Sequence, residues 1–151
     1  MVIEFSLEAV LDRIKTETGC ECEIFSGIAN DDTMRIPVEQ LHAVIDMLRE
    51  HFGIYHLSAI TAQQRESQPG EIELIYHFWH GKGISLLMRL PTNAPEVPTV
   101  LSLIPGADFY EREVAEMYGV VFTGRSETPR LLLPDEWDQG PPLLSTKERD
   151  E

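Results

Sequence analysis

The sequence predicts an α+β fold: a two-layer domain in which a mixed β-sheet is covered by two helices, followed by a third helix and an extended proline-rich C-terminal arm. Three observations carry this. Two apolar stripes at helical spacing alternate with strand-like segments in the first half of the chain. Residues 71–90 alternate apolar and polar side chains around a short glycine turn. Eight of the ten prolines lie between Pro91 and Pro142, and a residue that lacks an N–H donor and fixes φ is a poor component of central strands.

Taken in order, Ser6 precedes Leu7, Val10, Leu11 and Ile14, a stripe with i, i+3, i+4, i+7 spacing, and Gly19 is placed to stop a first amphipathic helix. Residues 20–28 alternate loosely, Asn30, Asp31 and Asp32 suit a turn, and Thr33–Ile36 returns as a short strand, so a hairpin is expected. Pro37 suits a helix start, and Leu41, Val44, Ile45, Leu48 and Phe52 form the stripe of a second helix that stops at Gly53. Tyr55–Ala62 is rich in strand formers. Ile72, Leu74, Tyr76 and Phe78 then alternate with Glu71, Glu73, Ile75 and His77, and Gly81-Lys82-Gly83 turns the chain into a partner strand over Ile84–Leu90. Two helices on one face of this sheet bury both stripes. Further on, Asp108 with Glu111 makes a capping-box-like pair and Gly119 closes a helix of about ten residues. After it, Val120–Phe122, Leu131–Leu133 and Trp137 show no periodicity, so their apolar side chains call for a covering surface, either their own sheet or a separate protein. The boundaries that follow are 1–106 for the α+β domain, 107–144 for helix and arm, and 145–151 for a disordered tail.

With 151 residues the chain fits one ordinary domain with some length to spare. Its 26 acidic against 12 basic residues give a net charge of −14, spread along the whole length. A surface this acidic repels phosphate backbones and anionic headgroups, which argues against nucleic-acid binding and electrostatic membrane docking. No segment approaches the roughly 20 apolar residues that direct membrane insertion requires. Cys20 and Cys22 are too close for an easy disulfide and lack the second pair of a metal site, so they read as small residues of a strand in a reducing, cytoplasmic setting.

Catalytic signatures are absent: there is no phosphate-binding glycine loop, dinucleotide turn or nucleophile elbow. His77 and His80 point to opposite faces of a strand, and His42 and His51 face apart on a helix. The densest ionic group is Asp108, Glu111, Arg112, Glu113 and Glu116. On a helix Asp108, Arg112 and Glu116 form one i, i+4, i+8 stripe with the arginine between two acids. The alternative of a small carboxylate-dependent metal hydrolase needs Glu111, Glu113 and Glu116 to converge on one cavity, and their spacing spreads them around the helix.

The run Glu111-Arg112-Glu113, with Glu116-Met117-Tyr118-Gly119-Val120, Phe122 and Gly124, followed by Pro129-Arg130-Leu131-Leu132-Leu133-Pro134-Asp135-Glu136-Trp137, resembles the signature of the 30 kDa subunit family of complex I, the respiratory NADH dehydrogenase, and of its counterparts in energy-converting membrane-bound hydrogenases. The resemblance implies a cofactor-free structural subunit of the peripheral arm of a membrane-bound redox complex, on the cytoplasmic face of the membrane. Such a subunit docks on the large subunit and neighbours the small iron-sulfur subunit. The iron-sulfur clusters, and in hydrogenases the nickel-iron centre, belong to those partners. It assigns the contacts to Glu111, Arg112, Glu113, Glu116, Tyr118, Gly119, Phe122, Arg130, Leu132, Pro134 and Trp137. This chain departs from the family in having Tyr118 for phenylalanine, Gly124-Arg125-Ser126 for Gly-His-Pro, and a C-terminus without the usual paired basic residues. Its length and the wording of Tyr110–Tyr118 lean toward the hydrogenase-like branch.

Overall fold

The computed structural model describes residues 6–26 and 31–145. The chain runs α1 (Leu7–Thr18), β1 (Glu23–Ser26), β2 (Asp31–Arg35), α2 (Leu41–Phe52), β3 (Leu57–Gln63), β4 (Glu71–Trp79), β5 (Gly83–Pro91), β6 (Glu96–Pro98), α3 (Asp108–Tyr118) and β7 (Val121–Thr123). The order of helices and strands up to β5 is the one the hydropathy pattern predicts. Five strands form one mixed sheet in the order β1-β2-β5-β4-β3, in which only the β2–β5 pair is parallel.

The long β4–β5 hairpin sets the core. Its register pairs Ile72 with Leu90, Leu74 with Met88, Tyr76 with Leu86 and Phe78 with Ile84, and all eight side chains are buried. They join Val10 and Ile14 of α1 and Leu41, Val44, Ile45, Leu48 and Phe52 of α2 in one cluster, as the period-2 and period-3.6 stripes require. The Ser6 hydroxyl caps α1 by accepting the Ala9 N–H at 3.1 Å, and α2 ends where Gly53 turns into the left-handed region at φ 65°. On the opposite sheet face Gln63, Glu73 and Arg89 lie side by side across β3, β4 and β5. Glu73 is nearly sealed there, accepting from Gln63 at 2.6 Å with Arg65 and Arg89 close by.

Local signals fail in four places. Asp31 and Asp32 belong to β2 and not to the turn, while Asn30 lies outside the described residues. Cys20 and Cys22 precede β1 in irregular backbone. Val121–Thr123 is a strand, running parallel to β6 with Val97 opposite Phe122. This pairing joins segments 25 positions apart, one of them ending in a proline, so no local pattern reveals it. Finally, Asp108 and Glu111 form no capping box: the residue before α3 is Ala107 in helical conformation, with no side-chain cap.

Candidate docking helix and arm

α3 packs against β3 and presents its first turn to the segment that links β6 to the helix. Glu111 is fully buried. The interior tolerates its charge because every side of the carboxylate is engaged. One oxygen accepts the Val100 N–H at 2.8 Å, and the other accepts the Thr99 hydroxyl at 2.7 Å and Nη1 of Arg125 at 2.9 Å. Arg125 also donates to Asp108, so one guanidinium neutralises two acids one turn apart on α3. The Thr99 carbonyl accepts Nε2 of His42 on α2 at 2.7 Å, tying this knot to the first layer. Tyr76 lies in the same region, and burial, then the Glu111 charge, pushes its hydroxyl well above the usual tyrosine range.

Arg112, on the next position around the helix, is mostly covered. It donates to the Pro129 carbonyl at 3.0 Å, approaches Asp108 at 3.6 Å, and lies over the Phe109 ring at 5.6 Å. The expected stripe is therefore half formed, because Glu116 turns to the arm instead. Its carboxylate accepts three consecutive backbone N–H groups, those of Leu131, Leu132 at 2.8 Å and Leu133 at 3.1 Å. Burial on its own would raise the Glu116 pKa; the three N–H donors and the Arg130 charge outweigh it and hold the carboxyl below its ordinary 4.5.

The arm then folds back along α3. Gly119 ends the helix at φ 72°, and a Cβ there would meet Pro141 Cγ at 2.8 Å, so glycine is required both by backbone conformation and by close approach. The Leu143 N–H donates to the Met117 carbonyl at 3.0 Å, and the Ser145 N–H donates to Gln64 Oε1 at 2.8 Å. Within the arm, Arg130 donates to the Trp137 carbonyl at 2.9 Å and the Trp137 indole N–H to the Gly140 carbonyl at 2.7 Å. Polar groups hold the arm in place, whereas several apolar ones point outward: Leu132 is 59% exposed, Leu143 55% and Val121 51%.

Between α3, β7 and the arm lies a groove of about 670 Å³. Of the predicted site residues, Arg112, Glu116, Phe122, Arg130 and Trp137 line it, with Glu111 buried beneath. Glu113, Leu132 and Pro134 are exposed outside that lining, while Tyr118 and Gly119 are half-buried at the helix end. The metal-hydrolase alternative fails on this geometry: Glu111 is sealed inside, Glu116 is occupied by the arm backbone, and Glu113 points to solvent on another side. Sequence reasoning missed Thr99, Arg125, Gln64 and Pro141. The one visible signal was the unusual Gly124-Arg125, an arginine a helix-length away from a surplus of acids.

Fold and site together define a small α+β domain carrying a C-terminal arm that is latched to its own signature helix. Residues 34–149 match the family described as "Respiratory-chain NADH dehydrogenase, 30 Kd subunit", and the chain belongs to that family. It is 32% identical over 130 residues to the C component of F(420)H(2) dehydrogenase from Methanosarcina mazei, covering 82% of each chain. It is 34% identical over 121 residues to the C/D component of NADH-quinone oxidoreductase from Gluconacetobacter diazotrophicus, covering 72% of this chain and 20% of that protein. Against the C component of the same oxidoreductase from Roseiflexus castenholzii the identity is 35% over 97 residues, which is 62% of this chain and about half, 53%, of that relative's length. Among solved structures, the trypsin-resistant fragment of Nqo5 superposes with a TM-score of 0.64 at 24% identity, covering 81% of this chain and 98% of the fragment. A chain of the archaeal membrane-bound sulfane sulfur reductase gives a TM-score of 0.70 at 24% identity, covering 85% of this chain and 77% of its own. Both show the same fold. No helix among the described residues is long and apolar enough to cross a membrane.

Proposed function

We propose that this chain is a structural subunit of a membrane-associated respiratory redox complex and docks on the large subunit through α3 and the arm. The observation that carries the reading is the division of labour in the arm. The backbone N–H groups of Leu131, Leu132, Leu133, Leu143 and Ser145 are satisfied internally, at Glu116, Met117 and Gln64, while Val121, Leu132 and Leu143 are presented outward. A preformed segment loses little conformational entropy on binding, so its outward apolar side chains are available for association. The existence of relatives named as a joint C/D component, one fifth of which this chain matches, supports a large-subunit neighbour, since a joined chain keeps the two units at high effective concentration.

In this reading the chain itself holds no flavin, quinone or cluster. Electron carriers reside in the large and small iron-sulfur subunits, and the chain sits on the cytoplasmic face of the membrane by assembly. The experiment is co-purification of a tagged chain from its native cell. The expected result is a large subunit recovered in equal amount, together with membrane-derived subunits. A tagged chain recovered alone from the cytosol overturns the proposal.

A further inference from the structure

The hydroxyl of Tyr76 has no access to solvent and, among the described residues, no hydrogen-bond partner. Packing does not call for it: Phe78, on the same face of β4, fills its place with a ring alone. A buried hydroxyl left unbonded is costly, and buried polar groups in native proteins are met by protein or by ordered water. The charge that acts on this hydroxyl is that of Glu111. A carboxylate has about four acceptor positions. Glu111 uses three: Oε1 accepts the Val100 N–H, and Oε2 accepts from Thr99 and from Arg125. Oε1 keeps a position to fill, and no direct bond joins it to Tyr76.

We infer that one buried water molecule bridges Tyr76 and Glu111, accepting the tyrosine O–H and donating to Oε1 of the carboxylate. The two groups meet the minimum number of polar partners that a buried water needs. Charge selects a neutral occupant. Arg125 pairs with both Glu111 and Asp108, and Arg112 approaches Asp108, so two guanidinium groups already balance two carboxylates. An added cation would face Arg125, and an added anion would face Glu111. The tyrosine remains a donor, because burial and the Glu111 charge both hold its proton in place. The bridge gives the buried acid a hydrogen bond from the sheet, beside those from Thr99 and Val100 and from the start of the arm. β4, α3 and the arm thereby meet at one carboxylate, whether or not the chain docks as proposed above.

The test is a crystal structure of the full chain at a resolution that shows ordered waters, with urea unfolding of Tyr76→Phe beside it. The expected density is one water within hydrogen-bonding distance of both Tyr76 Oη and Glu111 Oε1. The expected variant has an unfolding constant raised about fivefold or more, the scale of one lost hydrogen bond. A direct hydrogen bond between Tyr76 and Glu111 in the crystal overturns the bridge, as does a hydroxyl met by neither water nor protein. A bound ion in place of the water overturns the charge argument and the assignment with it. A Tyr76→Phe chain as stable as the unaltered one, or more stable, also overturns the inference, because removing an unbonded buried hydroxyl relieves a cost.

Discussion

Arg125 and Glu111 form the ionic contact that fixes the start of the arm to α3: Nη1 of Arg125 lies 2.9 Å from a Glu111 oxygen that has no access to solvent. The pair is asymmetric. Arg125 keeps Asp108 when Glu111 is lost, whereas Glu111 without Arg125 is a buried charge held only by Thr99 and Val100. Arg125→Ala should therefore cost about 3 kcal/mol or more, the range for orphaning a buried ion. Glu111→Gln should cost less, about 1–3 kcal/mol, because the amide oxygen still accepts from Val100 or Thr99. Urea unfolding of both variants measures this, and equal losses would contradict the asymmetry.

The Glu116 latch predicts a local effect. Glu116→Gln replaces a charged three-donor acceptor by a neutral one, and charge-assisted hydrogen bonds are worth about 1.5–3 kcal/mol each when intact. Amide exchange at Leu131, Leu132 and Leu133 should accelerate by roughly tenfold or more, while the β4 and β5 amides keep their protection. Uniform acceleration across the chain would mean that the arm and the sheet unfold as one unit.

The same contact sets a pH dependence. Because the folded pKa of Glu116 lies below its ordinary 4.5, its contribution is complete above that value and disappears as pH falls through the lower, folded value. The arm amides should thus open on acidification below about pH 4.5, and Glu116→Gln should lack this step. Amide exchange of the arm followed from neutral pH into the acid range supplies the check. An identical acid profile in the Gln variant would assign the transition to other carboxylates.

Gly119 predicts a dual penalty. A side chain at φ 72° is strained by about 1 kcal/mol or more, and the Cβ would also lie 2.8 Å from Pro141 Cγ. Gly119→Ala should destabilise the helix end and displace Pro141, so arm exchange and global stability both worsen. If the variant loses stability but the Leu143 amide stays protected, the strain is absorbed in the helix and not passed to the arm.

What the residues revealed in advance was whatever is periodic. The stripe Ile72, Leu74, Tyr76, Phe78 and the helical spacing of Leu41–Phe52 name their own buried faces, because side-chain direction follows from position in a strand or a turn of helix. The signature run also placed Arg112, Glu116 and Trp137 in one region. The rest depends on contacts between remote segments. Val97 opposite Phe122, Arg125 returning to Glu111, and Ser145 reaching Gln64 carry no period. Glu111 reads in the sequence as one half of a capping-box-like pair with Asp108; its burial became visible only with Thr99 and Val100 beside it.

Trp137 separates internal from external roles of the arm. Its indole N–H is bound to Gly140 at 2.7 Å, its carbonyl to Arg130, and its ring lines the groove half-exposed. None of these contacts belongs to the buried core, so Trp137→Ala should leave the cooperative unfolding of the sheet within about 1 kcal/mol of wild type, as for other substitutions outside a core. If the ring is an anchor for a partner, the same change should weaken association by about 2 kcal/mol or more, on the order of thirtyfold. Trp137→Phe distinguishes the causes, since it keeps an aromatic ring and removes only the N–H. Recovery of complex with Phe but not Ala points to ring burial against the large subunit. Loss with both points to the Gly140 hydrogen bond, and hence to the arm's own conformation, as what the partner needs. Unfolding of the isolated chain by Trp137→Ala would place the ring in the chain's own core and remove it from the docking surface.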